Sequence, residues 1–302
     1  MPEAAQLDLL PAVEVAREAP LRLAANGIHY AVYGDTQLAS SDLDRIVLAV
    51  PKAIAAALDR KAYYFVPLVI EDLGEAGPYR DKSSPVLIAR GVTSEATDLA
   101  VCHRNATCNG AECVFISTRL MQDRFALAFE FYINTGHHFV DAVGVPESFA
   151  DLVWAQAVAN VRGESSQDAW EQRARAMGRP SDSPSEHAWA APASAPSSST
   201  SASSRLRDKG RLTAVSQPKA SQASVHAVDE KARTEYLEAA FADAIAIYML
   251  SMTVDFDYTE LREREYPLLA APALAERLRH IARIFPANPG HEFYIRYRRR
   301  SR

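Results

Sequence analysis

The stretch Ala126-Leu-Ala-Phe-Glu-Phe-Tyr-Ile-Asn-Thr-Gly-His-His-Phe-Val-Asp-Ala-Val143 decides the fold. Its apolar residues surround nearly the whole circumference of a helix, which predicts a helix that runs through the core. The polar residues that interrupt it follow the helical period and fall along one face. This polar stripe consists of Glu130, Asn134, His137, His138 and Asp141. Buried polar groups cost free energy unless they are paired, so the polar stripe is the first candidate for a functional site.

The segments around this helix predict an α+β fold with a small sheet, because strands come first and helices dominate afterwards. β-branched and aromatic residues predict strands over residues 28–33, 63–70, 85–90 and 112–117. Apolar periodicity and capping residues predict helices over residues 43–61, 120–143, 148–162, 229–252 and 272–285. Pro51 is expected to start or kink the main section of the first of these helices.

Composition divides the 302 residues into three parts. Residues 1–177 form an N-terminal α+β part that carries the polar stripe. Residues 178–228 are rich in Ser, Ala and Pro and bury too little apolar surface to offset their ordering entropy, so we predict a disordered insert. Residues 229–302 are predicted to be helices that pack back on the N-terminal part, ending in the basic tail 295–302. We therefore expect one domain with an insert.

Charge and motifs narrow the classes of function. The net charge of −5 gives no nucleic-acid signal apart from the short basic tail. We expect a cytoplasmic protein without a membrane partner, because the N-terminus does not resemble a signal peptide and no apolar run is long enough to span a bilayer. A nucleotide-binding Gly-rich loop and a G-x-S-x-G nucleophile elbow are both missing from the sequence.

Cys102, Cys108 and Cys113 are the three cysteines of the chain. An odd number does not describe a disulfide framework, and their spacings differ from the paired C-x2-C pattern of zinc ribbons. Ordinary reduced thiols are the favoured interpretation, and a metal or redox role is the alternative.

His137 and Asp141 form the most specific pair within the polar stripe. They lie four residues apart, so a helix presents an imidazole and a carboxylate to one point, and both groups are standard zinc ligands. The alternative is a solvent-facing polar strip, or an internal hydrogen-bond network that fixes helix packing.

This layout resembles the zincin-like metallopeptidases, in which a strand is followed by a helix that carries H-E-x-x-H. Residues 113–117 look like the strand, and His137-His138-Phe139-Val140-Asp141 stands at the motif position. The resemblance implies a zinc ion held by His137 and Asp141. It also implies that His138 replaces the catalytic glutamate, the general base of the family.

A later helix of the zincin-like family delivers the third zinc ligand, and residues 234–250 are similar to it. The resemblance implies Glu238 as that ligand, with Glu235 and Asp243 as the alternatives. The predicted function is a metal-dependent hydrolase or peptidase relative, active or catalytically degenerate, acting on a peptide or protein. The alternative from a different class is a non-enzymatic α+β interaction module that uses the insert and the basic tail.

Overall fold

The computed structural model describes residues 8–70, 86–121, 123–178, 228–261 and 266–296. Helices and two small sheets make up this part of the chain, which confirms the predicted α+β class. The predicted insert, apart from Gly178 and Val228, and residues 297–302 of the basic tail lie outside the described residues.

The elements follow the chain in a mixed order. The strands are β1 (Leu9–Pro11), β2 (Arg22–Leu23), β3 (His29–Val32), β4 (Lys61–Val66), β5 (Leu68–Ile70), β6 (Leu87–Ala89), β7 (Ala100–Val101), β8 (His103–Cys108) and β9 (Ala111–Ser117). The helices are α1 (Ala12–Glu18), α2 (Ser40–Leu48), α3 (Lys52–Ala56), α4 (Ser94–Asp98), α5 (Arg124–Val143), α6 (Glu147–Val158), α7 (Gln167–Ala176), α8 (Glu230–Ser251) and α9 (Ala271–Ile284).

The main sheet has the strand order β2-β3-β4-β9-β8. β3, β4 and β9 are parallel, whereas β2 and β8 run antiparallel to their neighbours at the two edges. The smaller sheet has the order β1-β6-β5-β7, and its pairs are antiparallel.

Two prolines explain where the predicted elements differ from the observed ones. The predicted strand 63–70 is split at Pro67, which cannot donate to a strand ladder, so β4 joins the main sheet and β5 the smaller one. The predicted helix 43–61 is split at Pro51, which precedes α3. That helix was also predicted too long at its C-terminal end, because Lys61 already begins β4.

The two faces of the main sheet bury different clusters. Tyr63 and Val114 point to the face that α5 and α8 cover, within the larger core. Their neighbours Tyr64 and Phe115 point to the opposite face, which α1 covers. This alternation is the period of two that a sheet buried on both faces requires.

The helix that runs through the core is α8 rather than α5. Every residue of α8 from 240 to 250 is buried, including Asp243, whereas α5 keeps an exposed side with His137 and Asp141. α8 packs on α5, and one apolar core joins residues that precede and follow the insert in sequence. Among the described residues, no helix is long and apolar enough to cross a membrane.

Candidate functional site

α5 is fixed at its start by its own cap and in its middle by a close crossing. The Asp123 side chain accepts a hydrogen bond from Phe125 N at 3.0 Å and so caps the first turn. At Gly136 an added Cβ would lie 2.7 Å from the carbonyl oxygen of Ala242, so the α8 backbone approaches α5 where no side chain intervenes. The close crossing therefore fixes the position of α5, which carries the polar stripe, against α8.

Glu130 and Asn134 of the polar stripe are joined to His103 of β8. Asn134 Nδ2 donates to the Glu130 backbone oxygen at 2.8 Å and to Glu130 Oε1 at 3.2 Å. His103 Nδ1 lies 2.5 Å from the same Oε1. The His103 side chain is 39% exposed and that of Glu130 is 18% exposed, so a ligand can reach this pair from solvent.

His137 and Asp141 lie one turn apart on the exposed side of α5. Although His137 is exposed as a residue, the protein atoms around its ring lower the pKa of the imidazole. The charges of Asp141 and Asp168 oppose this shift and raise the pKa. The structure thus keeps the predicted pair accessible.

His138 is turned away from solvent. Its side chain is buried, and Nδ1 lies 3.2 Å from the hydroxyl of Tyr63 on β4. Burial lowers the pKa of His138 to about 4, and the charges of Lys61 and the two neighbouring histidines add to the effect. The imidazole is therefore neutral at physiological pH, and it does not share the accessible side of α5 with His137.

The acidic residues of α8 have different environments. Glu238 is exposed, and Glu235 forms a surface ion pair with Lys231 at 3.7 Å. Asp243 is buried and accepts a hydrogen bond from Ser165 Oγ at 2.8 Å. Burial raises the pKa of Asp243 to about 6, and hydrogen bonds from Ser166 and Ser165 oppose the rise.

The three predicted metal ligands are not assembled into one site. Within the ranges that the structure describes, no three or more His, Cys, Asp or Glu side chains form a group that could hold a metal ion. His137 and Asp141 lie one turn apart on α5, and Glu238 does not complete a three-ligand set with them. The zinc ion itself stays a prediction.

The cysteines lie on and beside the β8–β9 hairpin. Cys108 and Cys113 are buried, Cys102 is exposed, and no two of the three form a disulfide bond. Burial raises the pKa of Cys108 to about 12 and also raises that of Cys113, so both thiols stay protonated at neutral pH.

β8 presents an edge that sequence reasoning missed. Ser117 N donates to the Cys102 carbonyl at 2.9 Å, so Cys102 and each second residue after it direct their backbone groups at β9. His103, Asn105 and Thr107 consequently direct their N–H and C=O groups away from β9. In the part of the chain that the structure describes, no strand pairs with that side of β8.

The side chains of the same three residues lie on the α5 side of the sheet. His103 is opposite Ile116 and Asn105 is opposite Val114, and both of these β9 residues belong to the core under α5. The side chains along the open edge and the His103–Glu130 pair, which joins β8 to α5, therefore lie on the same face of the main sheet. The dipeptide Asn109-Gly110, with φ values of 54° and 81°, is the hairpin signal from which β8 could have been predicted.

A second polar cluster that the sequence did not reveal lies between α7, α8 and α9. Glu164 is fully buried, and Arg277 and Arg173 contact its carboxylate at 2.9 Å and 3.0 Å. The Tyr236 hydroxyl donates to the same carboxylate at 2.7 Å. These buried groups provide one another's hydrogen bonds and compensate one another's charges. We therefore interpret this cluster as a structural contact that holds α7, α8 and α9 together.

No protein-family model, curated protein or solved structure matches the chain.

Proposed function

We propose that this chain is a catalytically degenerate relative of the zincin-like peptidases that binds an extended peptide along the open edge of β8, beside α5. The open edge of β8 is the observation that carries the proposal. Outward-pointing N–H and C=O groups of an edge strand are ready to pair with another extended chain. Addition of a ligand strand to such an edge is a common mode of peptide recognition.

The residues of the polar stripe support binding over hydrolysis. By the zincin resemblance, position 138 belongs to the glutamate that acts as general base. Here that position holds His138, which is buried and bonded to Tyr63, so it is not available to a ligand at the surface. Beside the β8 edge, the partly exposed side chains of His103 and Glu130 instead offer groups that can bind a ligand.

Fluorescein-labelled β-casein tests this proposal, because fluorescence anisotropy rises when the protein binds it and falls when it is cleaved. We expect a stable rise with the wild-type protein. Asn105→Pro removes one outward N–H of the edge and should weaken casein binding about tenfold, the equivalent of one hydrogen bond plus a steric clash. Asn105→Ala keeps that N–H and is the matched control.

Circular dichroism establishes that both variants fold. Equal casein binding by Asn105→Pro and Asn105→Ala, or no binding by the wild-type protein, would show that β8 is not the binding edge.

A metal-dependent hydrolase is the second candidate, and one observation favours it. His137 and Asp141 are accessible on one side of α5, and the charge of Asp141 acts on the His137 ring, so the pair could hold a zinc ion that activates water. Stoichiometric zinc in the purified protein, lost in His137→Ala and Asp141→Ala, together with a falling casein anisotropy, would replace the binding proposal by this one. The same metal analysis of Glu238→Ala tests the third predicted ligand.

A further inference from the structure

β8 differs from the other strands that form sheet edges in the described part of the chain. β2 and β7 have two residues each, and β1 has three and ends at Pro11. Short strands and prolines protect a sheet edge from pairing with another chain. β8 instead has six residues, and all of them pair with β9 in one unbroken register. Its outer side is therefore long and unprotected, which indicates that another chain covers it.

The outward backbone groups of β8 are arranged symmetrically along the strand. His103, Asn105 and Thr107 each direct one N–H and one C=O away from β9, and Asn105 is the middle residue of the three. A second copy of β8 can lie antiparallel to the first, with the two Asn105 residues opposite each other. His103 of each copy then lies opposite Thr107 of the other, and each of the three residue pairs exchanges two backbone hydrogen bonds.

The side chains at these positions also fit a second copy of themselves. Asn105 and Thr107 are exposed and uncharged, so no like charges lie directly opposite each other at the centre of the pairing. The Asn105 amide both donates and accepts, so two such amides can bond to each other across the two strands. The His103 side chain is already bonded to Glu130 of its own chain.

We propose that β8 pairs with β8 of a second copy of this chain, which joins the two main sheets about a two-fold axis at Asn105. Such an axis is the commonest symmetry of soluble oligomers, and it requires a surface that is complementary to itself. The pairing rests on the same open edge as the proposed function. It adds a means of regulation, because a bound peptide and a second copy exclude each other there.

Sedimentation velocity of the full chain tests this pairing with charge variants at the two-fold axis. We expect the wild-type protein to form a dimer whose fraction rises with concentration. Asn105→Lys and Asn105→Glu should each weaken the dimer at least about tenfold at low salt, because like charges then lie directly opposite each other. An equimolar mixture of the two variants should associate again, because a lysine of one copy then faces a glutamate of the other.

Two further variants separate the backbone of Asn105 from its side chain. Asn105→Pro removes an outward N–H from each copy and should weaken the dimer about a hundredfold, which is about tenfold for each N–H. Asn105→Ala is the matched control, because it keeps the N–H and adds no charge. It should weaken the dimer no more than about fivefold, the range for one cross-strand pair of side chains. Circular dichroism establishes that each variant folds.

The outcomes separate the pairing from the proposed function. A wild-type protein that stays monomeric at high micromolar concentration would show that β8 does not pair with itself. Charge variants that dimerise as well as the wild-type protein would show the same. Casein binding then still decides the proposed function, and Asn105→Lys should retain it because the outward N–H is unchanged. A dimer that follows the charge pattern, in a protein that does not bind casein, would support the pairing and overturn the proposed function.

Discussion

At the scale of single residues, two buried carboxylates near the start of α7 are stabilised in different ways. Glu164 receives two guanidinium groups and a phenol, so its negative charge is compensated where it lies. Asp243 on α8 is bonded by the hydroxyls of Ser165 and Ser166 instead. Neutral donors compensate a buried charge less well than guanidinium groups, so burial controls the protonation of Asp243.

The raised pKa of Asp243 predicts a pH dependence of stability. Its pKa is 3.8 in the unfolded reference and about 6 in the fold, so the folded state binds the proton more tightly. The free energy of unfolding should therefore increase as pH falls from above 6 towards 4, by up to roughly 3 kcal/mol from this group. Urea unfolding at pH 5 and pH 7.5 measures the change.

Asp243→Asn should remove this contribution and stabilise the protein at pH 7.5, since the amide oxygen still accepts from Ser165 and carries no charge. The difference in the free energy of unfolding between variant and wild type at each pH isolates the contribution of Asp243. Identical pH profiles for the two proteins would contradict the expectation.

Part of the candidate site could be predicted residue by residue. The helical spacing of Glu130 and Asn134 placed them on one polar stripe, and the structure joins them by a hydrogen bond. The stripe did not show that His138 is buried whereas His137 is exposed. Adjacent residues differ by about 100° around a helix, so a small rotation of the helix decides which of the two is buried. His103 could not be paired from sequence, since its partner depends on how β8 lies beside α5.

At the scale of elements, the crossing of α5 and α8 depends on one missing side chain. Gly136 lies in the middle of α5, where glycine costs about 1 kcal/mol relative to alanine in an isolated helix. The close approach of the Ala242 carbonyl explains why glycine occupies this position. Helix propensity alone therefore misjudges this residue, and packing overrides it.

Gly136→Ala should lower the free energy of unfolding by about 1–3 kcal/mol, because the new Cβ must push the α8 backbone away and the gain in helix propensity is smaller. Gly91→Ala is the control, since nothing lies within 4 Å of the added Cβ there. We expect Gly91→Ala to leave stability unchanged or slightly higher. Urea unfolding measures the free energy of unfolding of both variants. Equal values would contradict the expectation, because they would mean that α5 and α8 move apart without a loss of stability.

Elements with a strong local pattern were predicted well, and those defined by distant pairing were not. The last two predicted helices, 229–252 and 272–285, correspond to α8 and α9 within one residue at each end. β1, β2 and β7 were missed because each has only two or three residues and takes its shape from a partner strand. The division of residues 63–70 between two sheets also depends on pairing that no local pattern encodes.

At the scale of the whole molecule, the larger core joins the parts of the chain on either side of the insert. α8 supplies Phe241, Ile245 and Met249 to this core, and α5 supplies Phe131 and Phe139. Apolar periodicity and capping residues predicted that these segments are helical. Their mutual position follows from the need to bury a helix that is apolar on all sides, and only the structure shows that α8, not α5, is that helix.

Residues 1–178 should therefore not fold cooperatively without α8 and α9. Each fully buried large apolar side chain of α8 contributes about 1.5–3 kcal/mol, so losing several exceeds the net stability of about 5–15 kcal/mol that is typical of a domain. A protease site inserted after Ser198 of the full chain tests this expectation. The cleaved protein should stay one species in size-exclusion chromatography and separate only in denaturant, because the interface between the pieces is the core itself.

Residues 1–178 expressed alone should show no cooperative thermal transition. A sharp transition for that fragment would mean that the N-terminal part has a sufficient core of its own and that the C-terminal helices are an attachment to it.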